Sequence, residues 1–250
     1  MTRKPFLLLP PSEAKAEGGS KGTKVGEFDH HLDGARRHVI EALAALRATQ
    51  SSAALEKVLK VRGPLLQRAV NAIGHLEDGD ALLMPAWRRY VGVVWLHLDA
   101  ATMPPAHRRR LLIPSGLYGV TTGGDHIADY RLKMDATLPL LGGVAHYWRP
   151  HVTSAMAAHV EGSAVINLLP KEHQSSIDWA TLDQGCQVVN VSFVRADGRG
   201  AAGHAAKAVK GIVARAIVDE GLAAMDGFRW QGWRARRSEE GILIVAPPAP

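Results

Sequence analysis

Residues 164–173 read A-V-I-N-L-L-P-K-E-H, an apolar run of strand length with a single amide inside it and a proline closing it. The run is too short for a core helix and shows no polar alternation, so it predicts a strand buried on both faces of a parallel sheet. V-V-N-V-S-F at 188–193 repeats the pattern, followed by the turn signal R-A-D-G-R-G. Phe6–Leu9, closed by Pro10-Pro11, is a third run of the same kind.

Parallel strands need crossover helices, and the sequence around these runs supplies them. Trp148–His159 predicts a helix with Pro150 in its first turn and Gly162 as its stop. Ala201–Glu220 predicts a second, stopped by Gly221. Helical spacing recurs over Gly34–Arg47, Ala53–Leu59 and Pro64–His75, and Pro104-Pro105 opens a short helix. Phe228–Arg236 and Ile242–Ala246 read as a terminal hairpin around Ser238–Gly241, with Pro247–Pro250 as a loose tail. With no internal repeat and no linker, residues 1–250 are expected to form a single α/β domain, a mixed β-sheet flanked by helices.

At 46% hydrophobic and 22% charged residues the chain has enough apolar side chains for an ordinary core. Nothing in it approaches the ~20 apolar residues of a membrane helix, and Pro10-Pro11 cuts the N-terminal apolar run short of a signal sequence. A cytoplasmic protein without membrane contact is expected, and the single Cys186 rules out an intrachain disulfide. The net charge of +6 is carried partly in clusters: Arg36-Arg37, Arg88-Arg89, Arg108–Arg110 and Arg229–Arg237. Such clusters predict either a phosphate-bearing partner or simply a solvated face.

Ile113–Met134 reads I-P-S-G-L-Y-G-V-T-T-G-G-D-H-I-A-D-Y-R-L-K-M, with glycines, tyrosines and charges but no apolar period, and predicts a functional loop. The loop after the first strand carries Ser12, Glu13, Lys15, Lys21 and Lys24 among glycines that let backbone N–H groups approach an anion. It lacks the spacing of a P-loop. Asn167 and Lys171 stand where ligands meet an open α/β sheet, at the carboxyl end of a strand. An amide there also serves to satisfy local backbone. The twelve histidines show no ligand spacing, there is no nucleophile elbow, and Cys186 has no histidine near it in sequence. Neither metal nor cofactor is expected. The constellation that remains is Ser12, Lys15, Tyr118, Tyr130, Arg131, Asn167, Lys171 and Lys207. Cations in it contact phosphate or carboxylate, while Tyr and Asn orient hydrogen bonds. Lys207, Lys210 and Arg215 together predict a broad basic strip on one helix.

The order of several motifs carries a resemblance: P-S-E-A-K at 11–15, S-G-L-Y-G at 115–119, Y-R-L-K-M at 130–134, Y-W at 147–148, V-I-N-L at 165–168, V-S-F at 191–193, K-A-V-K-G-I-V-A-R at 207–215 and G-F at 227–228. The chain resembles the YaaA family of peroxide stress resistance proteins over nearly its whole length. The resemblance implies a helix-hairpin-helix-like element, a basic cleft and DNA binding linked to protection from oxidative damage and intracellular iron. It departs from the family pattern at Lys133, Met134 and Asp135, and in a glycine-rich loop between Phe193 and Lys207.

Two functional readings follow. In the first, the chain binds DNA or another phosphate-bearing ligand through the cleft. Ser12, Ser115, Gly116, Gly119, Tyr130, Asn167, Lys171, Ser192, Lys207, Lys210 and Arg215 are then its ligand-binding residues. In the second, it is an enzyme acting on a nucleotide, nucleobase or other small anionic metabolite, with Lys15 and Tyr118 as acid and base and Arg131 as anion clamp.

Overall fold

A computed structural model describes residues 4–22 and 26–248. Lys24, the first three residues and the end of the tail lie outside the described residues. An eight-stranded sheet organises the chain: β1 (Phe6–Leu8), β2 (Leu111–Ser115), β3 (Gly119–Thr122), β4 (Ala164–Asn167), β5 (Gln187–Val194), β6 (Arg229–Trp230), β7 (Trp233–Ser238) and β8 (Gly241–Val245), in the order β6-β7-β8-β5-β4-β1-β2-β3. The five strands from β8 to β2 run parallel to one another, and antiparallel pairs close both margins. The mixed α/β sheet read from the apolar runs is therefore present.

Leu7, Leu8, Val165, Ile166 and Leu111–Ile113 are fully buried, as expected of central parallel strands covered on both faces. Toward the other margin the pattern relaxes, and β8 alternates buried and half-buried residues. The main helices are α1 (Asp29–Thr49), α2 (Ser52–Leu59), α3 (Pro64–Asp78), α4 (Val93–Leu98), α5 (Val144–Val160) and α6 (His204–Glu220). α1 packs on α3 and α5, while α6 packs on α4 and reaches β1.

Several expectations are corrected. The stretch from Ile113 begins within a β-hairpin: β2 pairs with β3 around Gly116–Tyr118, and both strands are completely buried. Its proline, glycines and threonines hide a strand pattern because residues that usually mark loops occupy buried strand positions here. Thr122 is held there by donating from both N and Oγ1 to the Asp125 carboxylate. α5 starts at Val144, which places Pro150 inside the helix, and α6 starts at His204. The C-terminal unit has three strands, with an added turn at Gln231-Gly232 between β6 and β7.

The arginine clusters are split by structure. Arg36 is buried and donates to the carbonyls of Tyr118 and Val120, and Arg89 to those of Ala16, Gly18, Leu82 and Ile127. Arg108 and Arg110 likewise donate to backbone carbonyls. These cations hold loops together. No helix among the described residues is long and apolar enough to cross a membrane.

Candidate functional site

The chain steps from β1 to its neighbour β2 on one side, whereas β4 lies on the other side of β1 and leads outward to β5. The segments leaving the carboxyl ends of β1 and β4 therefore diverge, and a crevice opens where the strand order reverses. Leu8 and Asn167 stand side by side at this point.

The segment after β1 is pinned along its backbone. Ala16 N donates to Arg89 O at 2.9 Å and Val91 N to Ala14 O at 3.2 Å, a two-sided bridge that fixes Lys15. Arg68 then gathers three partners, the Asp129 carboxylate at 2.6 Å, Glu17 at 2.8 Å and the Lys15 carbonyl at 2.9 Å. Lys15 turns its side chain back so that Nζ donates to Ser12 O at 2.9 Å.

A cleft of about 220 Å³ lies beside it. Ser12, Glu13 and Lys15 form one wall, Tyr130 to Asp135 a second, Glu172 and His173 a third, and Leu59 and Val61 add apolar surface. Four residues picked out by sequence, Ser12, Lys15, Tyr130 and Arg131, thus share one cavity.

Lys15 is only 8% exposed, and its Nζ sits 4.1 Å from the centroid of the Tyr130 ring and 5.7 Å from that of Tyr90. It forms no ion pair with any described carboxylate. Burial, reinforced by Arg131 and opposed by Asp129 and Glu13, pushes its amine down to about 7. The phenols of Tyr90 and Tyr130 meet at 2.9 Å, and burial raises Tyr130 to about 12 and Tyr90 well above the usual tyrosine value. On the far wall, burial lowers His173 to about 4, and its Nδ1 has no hydrogen-bond partner among the described residues. Nearby Lys210 is lowered by burial to about 8, with Glu172 opposing, and donates to Leu168 O at 2.5 Å.

The acids of the cleft are largely committed. Lys133 Nζ meets Glu13 at 2.7 Å and lowers that carboxyl, and Lys60 does the same to Asp135 at 2.7 Å. Arg131 makes neither ion pair nor hydrogen bond to a described residue. Arg131 is thus a positive group of the cleft that no described carboxylate contacts directly, although Glu13 lies within its electrostatic reach and Glu172 lines the same cleft.

The other sequence candidates go elsewhere. Tyr118 does not line the cleft. Its hydroxyl accepts from Ala128 N at 2.8 Å, burial raises its phenol, and its ring packs edge-on against Tyr130. Ser115 Oγ accepts from Tyr118 N at 3.2 Å. Gly116 and Gly119 are required by packing: a Cβ on Gly116 would stand 2.6 Å from Leu132 O, and one on Gly119, whose φ is +69°, would stand 2.7 Å from the Trp148 ring. The Asn167 amide is engaged at both ends, donating to Asn190 Oδ1 at 2.9 Å and accepting from Leu169 N at 3.0 Å. Lys171, Ser192 and Lys207 are exposed and outside the lining. Arg215 is tied to Asp219 at 2.6 Å, Thr102 at 2.7 Å and Asp99 O at 3.2 Å. Lys207, Lys210 and Arg215 therefore do not form one basic strip.

Sequence reasoning passed over Glu172, His173 and the lining role of Lys133. The signal for the first two was adjacency to Lys171 at the end of an apolar strand. Among the described residues no group of three or more His, Cys, Asp or Glu side chains is arranged to hold a metal ion.

Comparison with known proteins assigns the fold a family. The family model described as "Peroxide stress protein YaaA" matches residues 6–239. A UPF0246 protein of Streptomyces coelicolor is 30% identical over 225 residues, covering 87% of this chain and 84% of the relative. One from Corynebacterium efficiens is 33% identical over 221 residues, covering 85% and 84%. Another from Phocaeicola vulgatus is 28% identical over 203 residues, covering 76% and 80%. The family model spans every wall of the cleft, two of these relatives are matched over most of their length at 30% identity or better, and the chain belongs to the peroxide stress protein YaaA family.

Proposed function

We propose that the chain binds DNA, or a related polyanion, at this cleft, and that the binding serves protection from peroxide stress. The observation that carries the reading is the uncommitted Arg131 beside Lys15, in a cavity whose acids Glu13 and Asp135 are already paired with lysines. An anionic group entering there meets a guanidinium that no described carboxylate contacts, with Glu172 as the remaining acid of the lining. Exposed Lys171 and Lys207 add to the same charge outside the cavity. α2 and α3, joined by Lys60–Gly63 with Lys60 and Gly63 at positive φ, serve as the helix-hairpin-helix-like element, and Leu59 and Val61 bring this turn to the cleft. Such turns contact phosphates through backbone N–H groups, so binding is nearly independent of sequence.

Fluorescence anisotropy with labelled intact and bulged duplexes tests the reading. With about four phosphate contacts, affinity should fall on the order of a hundredfold between 50 and 200 mM salt. Absence of binding to either duplex at the lowest salt would refute it.

The second reading, an enzyme acting on a small anionic metabolite such as a nucleotide, is favoured by one specific observation: Lys15 is a buried amine poised near neutrality inside a cavity of small-ligand size. Lys15 is then the acid or base and Arg131 the clamp, with Tyr130 rather than Tyr118 at the cavity wall. A thermal-shift screen of anionic metabolites should find a stabilising compound that Arg131→Ala no longer responds to.

A further inference from the structure

Buried lysines are ordinarily paired with a carboxylate, because an isolated ammonium is expensive to desolvate. The lysines around this cleft show the contrast. Lys60 and Lys133 each meet a carboxylate at 2.7 Å, whereas Lys15, the more deeply buried, has only the Ser12 carbonyl and the face of Tyr130. An ammonium has three donors, and this arrangement engages one of them. Its backbone is nonetheless held from both sides, by the bridge to Tyr90 and by the Arg68 guanidinium on its carbonyl. The protein fixes this amine firmly in a cavity wall while withholding a counter-ion, which favours the neutral, nucleophilic form.

We propose that Lys15 forms a Schiff base with an aldehyde or ketone carried on a phosphate ester, the carbonyl carbon meeting Nζ and the phosphate meeting Arg131. The inference rests on reading the cleft as an anion site. The Nζ lone pair adds to the carbonyl carbon, and a proton passes from nitrogen to oxygen to give a carbinolamine. Protonation of its hydroxyl by solvent releases water and leaves the protonated imine, whose nitrogen proton can return to solvent; no oxidant or reductant is consumed. With its pKa near 7, about half of Lys15 is neutral at pH 7, against fewer than about one in a thousand for an ordinary exposed lysine. Two sources supply this chemistry, a free sugar phosphate and the ring-opened sugar of an abasic site in DNA. The apolar contribution of Leu59, Val61 and Met134 beside the charged groups suits a sugar-sized ligand.

Reductive trapping with borohydride, which converts an imine to a stable secondary amine, tests this on the full chain near pH 7. Glyceraldehyde 3-phosphate is one probe and a single-stranded oligonucleotide with one abasic site the other. Peptide mass spectrometry should place the adduct on Lys15, at least tenfold above exposed Lys171 and Lys207 and above Lys210, which is half-buried and outside the cleft lining. Lys15→Arg should lose it. Trapping of the oligonucleotide at much lower concentration than the triose identifies DNA as the source, and the reverse identifies a metabolite. Adducts confined to exposed lysines of the wild-type protein would overturn the proposal, whether or not the variant folds. Equal labelling of Lys15 by glyceraldehyde without its phosphate would overturn the role of Arg131. Anisotropy of the same oligonucleotide without borohydride separates the two ideas: binding with neither probe trapped defeats the Schiff base alone, and no binding defeats the DNA reading.

Discussion

The turn Ser115–Gly119 and the segment Tyr130–Met134 lie in contact, carry similar mixtures of aromatic and polar residues, and do different work. In the turn, the polar groups of Ser115, Gly116 and Tyr118 hydrogen-bond to other parts of the protein, and its two glycines are pressed against Leu132 O and the Trp148 ring. In the segment, Tyr130 and Arg131 present themselves to a cavity and Arg131 has no described partner. A motif of polar residues can therefore be structural in one half and functional in the other. The distinction lies in whether its polar atoms find partners inside the protein.

Substitutions sharpen that contrast. Gly119→Val should have the largest effect, since it forces a β-branched side chain to positive φ against an indole. A loss of about 3 kcal/mol or more is expected in urea unfolding. A loss below about 1 kcal/mol would show that the turn is not packed as described.

Lys15→Met follows. The folded-state pKa of Lys15, about 7, lies below the ordinary lysine value, so between pH 7 and 10 the unfolded chain binds more protons and wild-type stability rises with pH. The methionine variant lacks this contribution. From pH 7 to pH 9 the difference in unfolding free energy should therefore move by about 2 kcal/mol in favour of the wild type. A pH-independent difference would mean that Lys15 is not desolvated.

Arg131→Ala should leave stability within about 0.5 kcal/mol and weaken binding of an anionic ligand about tenfold to thirtyfold, the loss of one charge-assisted contact. If stability falls and affinity does not, the segment is structural like the turn. Arg215→Ala should have the smallest effect on the site. It should cost about 1 kcal/mol or less in stability, because its pairs are partly exposed, and leave affinity unchanged.

The sheet was legible because Phe6–Leu9, Ala164–Leu169 and Val188–Phe193 are apolar runs whose uniformity follows from burial on both faces. β2 and β3 were not, because Pro114, Ser115 and Thr121-Thr122 occupy buried strand positions that local pattern assigns to loops. Ser12, Lys15, Tyr130 and Arg131 could be gathered from sequence as chemistry that regular core structure does not require. The commitment of Asn167 to Asn190 and of Arg215 to Thr102 and the Asp99 carbonyl could not, since those partners are brought near only by the folded chain. The arginine doublets misled for the same reason. Arg36 and Arg89 serve carbonyls that only the tertiary structure brings near, while their neighbours Arg37 and Arg88 stay exposed.

The two margins of the sheet bear on how the chain behaves when stressed. One ends in β6, only two residues long, and the other in β3, whose four residues are buried. Neither offers a long bare strand on which a second chain could template, so the apolar parallel strands at the centre are shielded from edge-to-edge aggregation.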